Sequence, residues 1–453
     1  MIQQITIKLS IVYFCTALFE QNKFFNPCIL QNPPEMNLSA LKIIIIVFAL
    51  GLSLHQSKAM TLSPHAEITM LTASPGDELY SVFGHSALRV VDRENNLDLV
   101  FNYGTFDFDT PNFYLQFTRG KLLYKLSVAP MEYFVPEYLF EGRAIYEQVL
   151  NLSQEQKQQV FDFLMINRLP ENAYYHYDFF YDNCATRIRD LVDNILEPLW
   201  PDESEINEES IALIRSMLDY EFDYKPELKP SRTFRDLLQP FLVTMPWSKF
   251  GIDLALGLPA DKVATVWDFM YLPDEMLIAF ALANHRDGRP LVSEYRIIIP
   301  KTVELSPASK ITPQMVMWLL VLLSLASLFR AKWSLIFDKI FFSVLGITGL
   351  VIVFLWFFSD HITTKANLNI LWAIPTHLYF IWMANYTSLR DSVKWYFRFV
   401  SFLSFCLLVL WPFMPQDFHG AFFPIILISL LKSLTYGFTI PFISKHLKGI
   451  AEN

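Results

Sequence analysis

Three residues of this chain could together activate a thiol: Cys184, His85 and Asn102. Cys184 lies in FFYDNCATRIRDLVDNIL, where Asp182 or Asn183 can cap the start of a helix. In the first turn of a helix, the helix dipole and the free backbone amides lower the pKa of a thiol. The same amides can donate hydrogen bonds to an oxyanion. The segment therefore predicts a nucleophilic cysteine at a helix start.

A thiolate forms only if a nearby base takes the thiol proton. The candidate bases in the region 60–312 are His65, His85, His176 and His285. Of these, His85 follows a glycine at the start of an apolar strand, in SVFGHSALRV. This position directs the imidazole from a sheet edge toward a facing helix end, as a cysteine and histidine pair requires. We therefore predict that His85 is the general base.

The second ring nitrogen of such a histidine needs an orienting partner. Asn102, in LVFNYGTF on the next predicted strand, is the favoured candidate, and Tyr103, Asp107 and His176 are weaker ones. Each residue alone also has a purely structural explanation. Cys184 could be a small buried side chain, His85 a strand histidine with its hydrogen bonds made within the fold, and Asn102 a residue of a turn or a sheet edge. Their joint occurrence favours a catalytic site.

The other cysteines lie outside the region that carries these residues. Cys15 and Cys28 precede a predicted signal peptide, and Cys406 lies in an apolar segment near the C-terminus. Cys184 is therefore the single thiol of an exported region, where it cannot form an intrachain disulfide.

The N-terminal residues have the pattern of a secretory signal. Lys42 precedes an apolar run over residues 43–54, and small residues stand at positions 57 and 59. We predict an upstream extension over 1–35 and a signal peptide over 36–59, cleaved after Ala59, although an uncleaved anchor is the alternative.

Five apolar segments follow residue 312, and each is long enough to cross or nearly cross a hydrocarbon core of about 30 Å as a helix. They cover residues 314–330, 340–358, 368–386, 397–414 and 420–441. Eight basic residues flank one side of this bundle: Arg330, Lys332, Lys339, Arg390, Lys394, Arg398, Lys445 and Lys448. The loops of the other side hold only Lys365, so the C-terminus is predicted to be cytoplasmic and residues 60–312 exported.

The sequence pattern of the exported region predicts strands followed by helices. Strands are predicted over residues 65–72, 86–92 and 97–103, and residues 110–148 could continue the sheet. Ser153 and Gln156 form a capping box for a helix to about Asn167, and a second helix opens at Asp182 or Asn183. We assign residues 60–200 to a catalytic domain, 201–312 to an acidic, mainly helical extension, and 313–453 to a transmembrane domain.

The charge balance excludes one class of partner. The net charge is −9, and we count 38 acidic against 22 basic residues between 60 and 312. A nucleic-acid-binding domain needs clustered basic residues, so none is predicted. The histidines have no metal-ligand spacing, and we predict no metal and no cofactor.

The motifs resemble those of known families. A strand histidine, a strand polar residue and then Asn-Cys at a helix start are similar to permuted papain-like domains, including the lecithin:retinol acyltransferase group and NlpC-type relatives. SVFGHSALRV, FNYGTFDF and YDNCATRIRDL, with a five-helix tail and HITTKANLNILWAIPTHL, more closely resemble the Lnb family of bacterial lipoprotein N-acyltransferases. The lecithin:retinol acyltransferase group often has histidine as the third catalytic member, where we place Asn102.

This resemblance implies a fold and a reaction. The fold is an α+β permuted papain-like (NlpC or lecithin:retinol acyltransferase-like) exported domain followed by a bundle of five transmembrane helices. The reaction transfers an acyl chain from a phospholipid, through a Cys184 thioester, to the α-amino group of diacylated lipoproteins. The protein would lie in the bacterial inner membrane with its catalytic domain on the periplasmic side.

Polar residues near the exported face of the membrane segments are candidates for substrate contact. We predict substrate-binding roles for His361, Asn367 and Asn369, and also for Asn183, which directly precedes Cys184. Further polar residues in or near these segments are Asp360, His377, Asp417 and His419. The alternative is that these residues are polar because they lie close to the lipid headgroups and bind no substrate.

Two other functions fit parts of the pattern. A cell-wall peptidase or amidase of the NlpC type would use the same cysteine and histidine but would need only one membrane anchor. A non-enzymatic receptor or assembly factor, built on an inactive papain-like domain, would tolerate the loss of Cys184.

Overall fold

A seven-stranded antiparallel sheet forms the centre of the exported part of the computed structural model. The strands are β1 (Glu67–Ala73), β2 (His85–Asp92), β3 (Leu97–Thr105), β4 (Leu123–Pro130), β5 (Ile145–Leu150), β6 (Tyr174–His176) and β7 (Val292–Ile299). Their spatial order is β6-β4-β3-β2-β1-β5-β7. The three strands predicted from β-branched and aromatic content are confirmed as β1, β2 and β3.

The structure describes residues 60–218, 231–303, 306–384 and 390–438. The predicted upstream extension and signal peptide, and the basic residues Lys445 and Lys448, lie outside the described residues. Residues 62–453 form one unit by their internal contacts, and all contacts given below belong to it.

Nine helices of the exported part lie within the described residues. They are α1 (Phe113–Thr118), α2 (Met131–Glu141), α3 (Gln154–Asn167), α4 (Cys184–Leu196), α5 (Glu208–Leu218), α6 (Phe234–Leu238), α7 (Pro246–Ala255), α8 (Val266–Phe269) and α9 (Pro273–Leu282). The capping box of Ser153 and Gln156 is confirmed at the start of α3. Residues 110–148 continue the sheet only in part, because α1 precedes β4 and α2 lies between β4 and β5.

Both faces of the sheet are covered. Helices α3, α4 and α9 contribute to a large apolar core on one face, which includes Phe101, Phe161 and Ile188. Helix α2 covers the other face through Met131 and Phe134. Because α4 packs against β2 and β3, its first residue lies close to the ends of these two strands. The sheet thereby positions the start of α4.

The C-terminal part consists of apolar helices. They are α10 (Pro313–Ser327), α11 (Ala331–Phe358), α12 (His377–Met383), α13 (Asp391–Leu410) and α14 (Phe422–Gly437). Within the described part of the chain, two stretches, Lys332–Phe358 and Asp391–Phe413, are long and apolar enough to cross a membrane. Helices α10 and α14 are shorter apolar helices.

The third predicted membrane segment, residues 368–386, is not one continuous helix. Over its described residues it forms a short 3-10 helix, Leu368–Leu371, and then α12, with Pro375 between them. Pro375 interrupts the helix because proline lacks an amide donor. The segment also packs tightly on α11, where a Cβ on Gly349 would lie 2.0 Å from the carbonyl oxygen of Ala373. A helical span of five turns is therefore replaced by a broken, shorter element.

The region 201–312 connects the sheet to the membrane helices. Its described residues contain helices α5 to α9, and its last part forms β7, which pairs with β5 at the sheet edge. The loop after α7 approaches the loop after α11 so closely that a Cβ on Gly257 would lie 1.9 Å from the carbonyl oxygen of Lys365. The Gly257 amide donates to the Thr363 carbonyl over 2.8 Å. These contacts fix the exported part to the membrane helices.

Candidate active site

Cys184 is the first residue of α4, as predicted, and its position depends on the preceding asparagine. The Asn183 side-chain oxygen accepts from the amides of Ala185 and Thr186, each over 2.9 Å. Its side-chain nitrogen donates to the carbonyls of Phe179 (2.8 Å) and Tyr271 (2.7 Å). Asn183 is buried and fully used by these bonds, so it holds the helix start. The substrate contact predicted for Asn183 stays a prediction.

His85 is the first residue of β2, at the end of the sheet that meets α4. Its Nε2 lies 2.6 Å from the side-chain oxygen of Asn102 on β3, so the structure brings these two residues together. An amide oxygen only accepts, so Nε2 carries the proton and donates it. Nδ1 is then the ring nitrogen available to a thiol.

Gly104 brings the thiol and the imidazole together. Its φ of +88° lies in the left-handed region, next to an irregularity of β3 between Asn102 and Thr105. A Cβ at this glycine would lie 3.4 Å from the Cys184 Cβ and 3.9 Å from the His85 Cε1. Both side chains therefore lie directly over the Gly104 backbone, where no side chain separates them.

The pair favours the charged forms of both residues. Burial raises the pKa of the Cys184 thiol, but the positive charge of His85 and its hydrogen bond outweigh burial and lower that pKa below its ordinary value. Burial lowers the pKa of His85, but the thiolate charge, the hydrogen bond to Cys184 and the Asn102 bond outweigh it and raise that pKa. A thiolate and an imidazolium therefore stabilise each other here.

Backbone amides complete the surroundings of the sulfur. Hydrogen bonding by the backbone amides of Ser86 and Ala185 also helps to lower the pKa of Cys184. Among the described residues, no oxygen accepts from the N–H of Cys184 itself. This amide is available to a ligand beside the sulfur.

The weaker candidates do not orient His85. The Tyr103 hydroxyl donates to the side-chain oxygen of Asn167 over 3.0 Å. Asp107 accepts from the Asp109 amide, and His176 lies exposed on β6. The described residues hold no group of three or more His, Cys, Asp and Glu that could bind a metal ion.

Two family models match the chain. The Lnb N-terminal periplasmic domain matches residues 57–220, and the Lnb transmembrane domain matches residues 305–441. Together they cover about two thirds of the 453 residues. The chain belongs to the Lnb family. No curated protein and no solved structure gave a match.

Membership of the Lnb family establishes a membrane protein with a periplasmic domain and transmembrane helices. Cys184, His85 and Asn102 all lie within the match to the Lnb periplasmic domain. The elements between the two matches, from α6 to β7, contact the Lnb transmembrane domain through α7 and the loop after it, beside direct contacts between the two matched regions.

Asn367 and Asn369, in the loop after α11, bind the backbone at the end of α7. Asn367 donates to the carbonyls of Leu254 (2.8 Å) and Ala255 (3.1 Å). Asn369 donates to the carbonyls of Asp253 and Leu254, each over 3.2 Å. Both asparagines are fully buried. Their amides satisfy backbone carbonyls at the end of α7, and the substrate contact predicted for them stays a prediction.

His361 is placed differently from the two asparagines. It is partly exposed, and its Nε2 lies 2.8 Å from the carbonyl oxygen of Phe117, at the end of α1. Its neighbour Asp360 forms an ion pair with Lys121 over 2.6 Å. The loop after α11 therefore holds the segment that precedes β4, and the substrate contact predicted for His361 stays a prediction.

Proposed function

We propose that this protein is a thiol-dependent lipoprotein N-acyltransferase of the bacterial inner membrane. The observation that carries the proposal is the position of Cys184 at the start of α4, beside an imidazole that Asn102 orients over 2.6 Å. Membership of the Lnb family supports lipoprotein processing as its biological role.

In the first half of the proposed reaction, Nδ1 of His85 takes the proton of the Cys184 thiol. The thiolate attacks the ester carbonyl of a phospholipid, so a carbon–sulfur bond forms and the carbon–oxygen ester bond breaks. The His85 imidazolium gives its proton to the departing lysophospholipid oxygen. The acyl chain remains on Cys184 as a thioester.

In the second half, the α-amino group of a diacylglyceryl-cysteine attacks the thioester. A carbon–nitrogen bond forms, the carbon–sulfur bond breaks, and His85 moves the proton of the amine to the departing Cys184 sulfur. The free N–H of Cys184 would donate to the oxyanion in both halves. Water must be kept from the thioester, because hydrolysis would turn the enzyme into a lipase.

The order of the elements supports a permuted papain-like fold for the periplasmic domain. The proposed base lies on β2 and precedes the proposed nucleophile on α4 in the chain. Helix α4 packs its first turn against the sheet that carries the histidine. This is the arrangement expected where the histidine precedes the cysteine.

The mechanism is tested in cells that depend on this protein for N-acylated lipoproteins. We expect Cys184→Ser and His85→Ala each to abolish N-acylation, measured by mass analysis of lipoprotein N-termini. Matched controls are Cys406→Ser, on α13, and His176→Ala, on β6, which remove the same groups elsewhere. Both controls should retain N-acylation.

The outcomes separate the proposal from other functions. Normal N-acylation in a folded, membrane-inserted Cys184→Ser variant would reject the mechanism. Altered peptidoglycan fragments with unchanged lipoprotein N-termini would favour a cell-wall peptidase. Mass analysis of a thioester trapped on Cys184 in the wild-type protein would identify the donated chain.

A further inference from the structure

A cluster of large apolar side chains is exposed on residues 106–117. Phe108 is 60% exposed, Tyr114 78%, Leu115 51% and Phe117 44%. Helix α1 contains no buried residue, and of its four apolar side chains Phe113 alone packs against the core of the periplasmic domain, whereas Tyr114, Leu115 and Phe117 are exposed. Four such neighbours on one short segment form a patch that indicates an apolar partner.

This patch continues into the surface of a membrane helix. Helix α11 ends at Phe358, and Phe357 and Phe358 are 67% and 62% exposed. Two residues later, the Asp360 amide donates to the Arg119 carbonyl over 2.9 Å, and His361 contacts the Phe117 carbonyl. The exposed segment therefore lies at the periplasmic end of α11, at the depth where a spanning helix leaves the hydrocarbon core.

A series of aromatic rings leads inward from the patch. Phe108 lies 4.9 Å from Phe106 between ring centroids, and Phe106 lies 5.1 Å from Tyr124. Tyr124 stacks on Tyr177 at 4.2 Å. Tyr124 also lies 6.5 Å from Tyr175 between ring centroids, and the guanidinium of Arg187 lies 4.1 Å from the Tyr175 ring. Arg187 follows Cys184 by three residues on α4, so the series ends at the first turn of the helix that carries the thiol.

We propose that residues 106–117 insert their exposed side chains into the outer leaflet of the bilayer, and that the ring series guides a phospholipid acyl chain from there to Cys184. The insertion stands on the patch and its position, whereas the acyl route rests on the proposed function. Aromatic side chains prefer the interface between headgroups and acyl chains. The exposed Arg119 flanks the patch and complements phosphate groups, whereas the neighbouring Lys121 is paired with Asp360.

A lipid surface explains the patch better than a second protein does. A protein partner would have to bind the patch without meeting the lipids that surround Phe357 and Phe358 in the adjoining helix. The bilayer contacts both surfaces at once, and it buries them without any further component. The segment then extends the membrane contact of the Lnb transmembrane domain to the periplasmic domain.

The insertion is tested with the full-length protein in phosphatidylcholine and phosphatidylglycerol vesicles. Tyr114→Cys carries an environment-sensitive fluorophore in a background where every native cysteine, including Cys184, is replaced. The matched control is Glu94→Cys, an exposed position in the turn at the opposite ends of β2 and β3. We expect spin-labelled lipids to quench the Tyr114 label at least five-fold more than the Glu94 label.

Equal quenching at both positions would overturn the insertion. Shielding of the Tyr114 label only after a lipoprotein is added would also overturn it, because the partner would then be a protein. This background has no nucleophile, so the result is independent of the proposed reaction.

The acyl route is tested with Tyr114→Ser combined with Leu115→Ser. These exposed positions leave the core intact, and we expect acyl transfer from vesicle phospholipid to fall about ten-fold. Iodoacetamide should still alkylate Cys184 at the wild-type rate, because the thiol is unchanged. The control is Leu213→Ser, an exposed leucine on α5.

The outcomes of this second test are distinct. Wild-type transfer in the double variant would overturn the acyl route. Absence of transfer even in the wild-type protein would reject the proposed function and the route with it, while the quenching result would still decide the insertion.

Discussion

The hydrogen bond between Asn102 and His85 links the orientation of the imidazole to the charge of the thiol. Asn102 accepts from Nε2 and so stabilises the imidazolium, which in turn lowers the pKa of Cys184. The thiolate of Cys184 therefore persists to a lower pH than the thiolate of a free cysteine, whose pKa is about 8.5. As the pH falls through the lowered pKa, the sulfur is protonated and its reactivity is lost.

Removal of this bond should be visible in the alkylation of Cys184. In Asn102→Ala, the imidazolium loses a bond worth about 1.5–3 kcal/mol for a charged group. We expect the pH at which iodoacetamide alkylation is half-maximal to rise by about 1 unit, since 1.36 kcal/mol corresponds to one pKa unit. The control Asn167→Ala removes an asparagine oxygen that accepts from Tyr103 and does not contact His85. An unchanged profile in Asn102→Ala would show that Asn102 does not act on the pair.

Gly104 offers a separate test of how closely the pair is packed. Gly104→Ala adds a Cβ at 3.4 Å from the Cys184 Cβ and forces an L residue to a φ of +88°. Gly288→Ala imposes a similar strain at +85°, with no atom within 4 Å. Both variants should lose about 1–2 kcal/mol of unfolding free energy. We expect only Gly104→Ala to lose acyl transfer, by at least ten-fold; equal activities would show that crowding at Gly104 does not disturb the pair.

Residue types at the site were predictable where a pattern left few alternatives. Cys184, His85 and Asn102 were predicted because a helix cap and two strand positions restrict where these side chains lie. The hydrogen-bond partners of Asn183, Asn367 and Asn369 were not predictable, because a side-chain amide binds a ligand and a backbone carbonyl equally well. Only the folded backbone shows that the amides of these three residues are already occupied.

At the scale of elements, a buried ion pair holds three membrane helices together. Lys432 on α14 lies 3.0 Å from Asp338 on α11, and both side chains are fully buried. The Lys432 amine also donates to Ser327 on α10 over 2.6 Å, and the Tyr436 hydroxyl donates to Asp338 over 2.8 Å. Neither charge can be left alone in the membrane at low cost.

Breaking this pair should destabilise the bundle. We expect Lys432→Met and Asp338→Leu each to lower the unfolding free energy by about 3–5 kcal/mol, because one uncompensated charge remains buried. The double variant should regain most of this loss. Thermal unfolding in detergent measures the cycle, and Lys394→Met is the control, since Lys394 pairs with Asp391 at 3.0 Å on the surface. Additive losses in the double variant would contradict the coupling.

The elements differ in how far the sequence predicted them. Strands β1 to β3 and helices α3 and α4 follow from local alternation and capping, so their existence and approximate bounds were predictable. β7 was missed inside a region assigned as mainly helical, because its partner β5 lies far earlier in the chain. The broken segment around Pro375 was taken as a full span because hydropathy does not record its close packing on Gly346 and Gly349.

At the scale of the whole molecule, the region between the two Lnb matches joins the transmembrane helices to the periplasmic domain that carries Cys184. Arg235 is buried and forms ion pairs with Asp253 (3.0 Å) and Asp261 (2.7 Å), which order the segment around α7. Asn367 and Asn369, the two buried asparagines of the loop after α11, bind the carbonyls at the end of α7. A rigid junction of this kind would hold the thiol at a constant height above the bilayer.

Loss of the junction should separate the reactivity of the thiol from its access to lipid. In Asn367→Ala combined with Asn369→Ala, the carbonyls of residues 253–255 lose four hydrogen bonds. We expect faster amide hydrogen exchange over residues 254–258 and about ten-fold slower transfer from vesicle phospholipid. Alkylation of Cys184 should be unchanged, because the pair with His85 lies elsewhere. Asn151→Ala, which removes one exposed bond to Pro290, is the control. If transfer stayed at the wild-type rate while exchange rose, the junction would stabilise the fold without positioning the site.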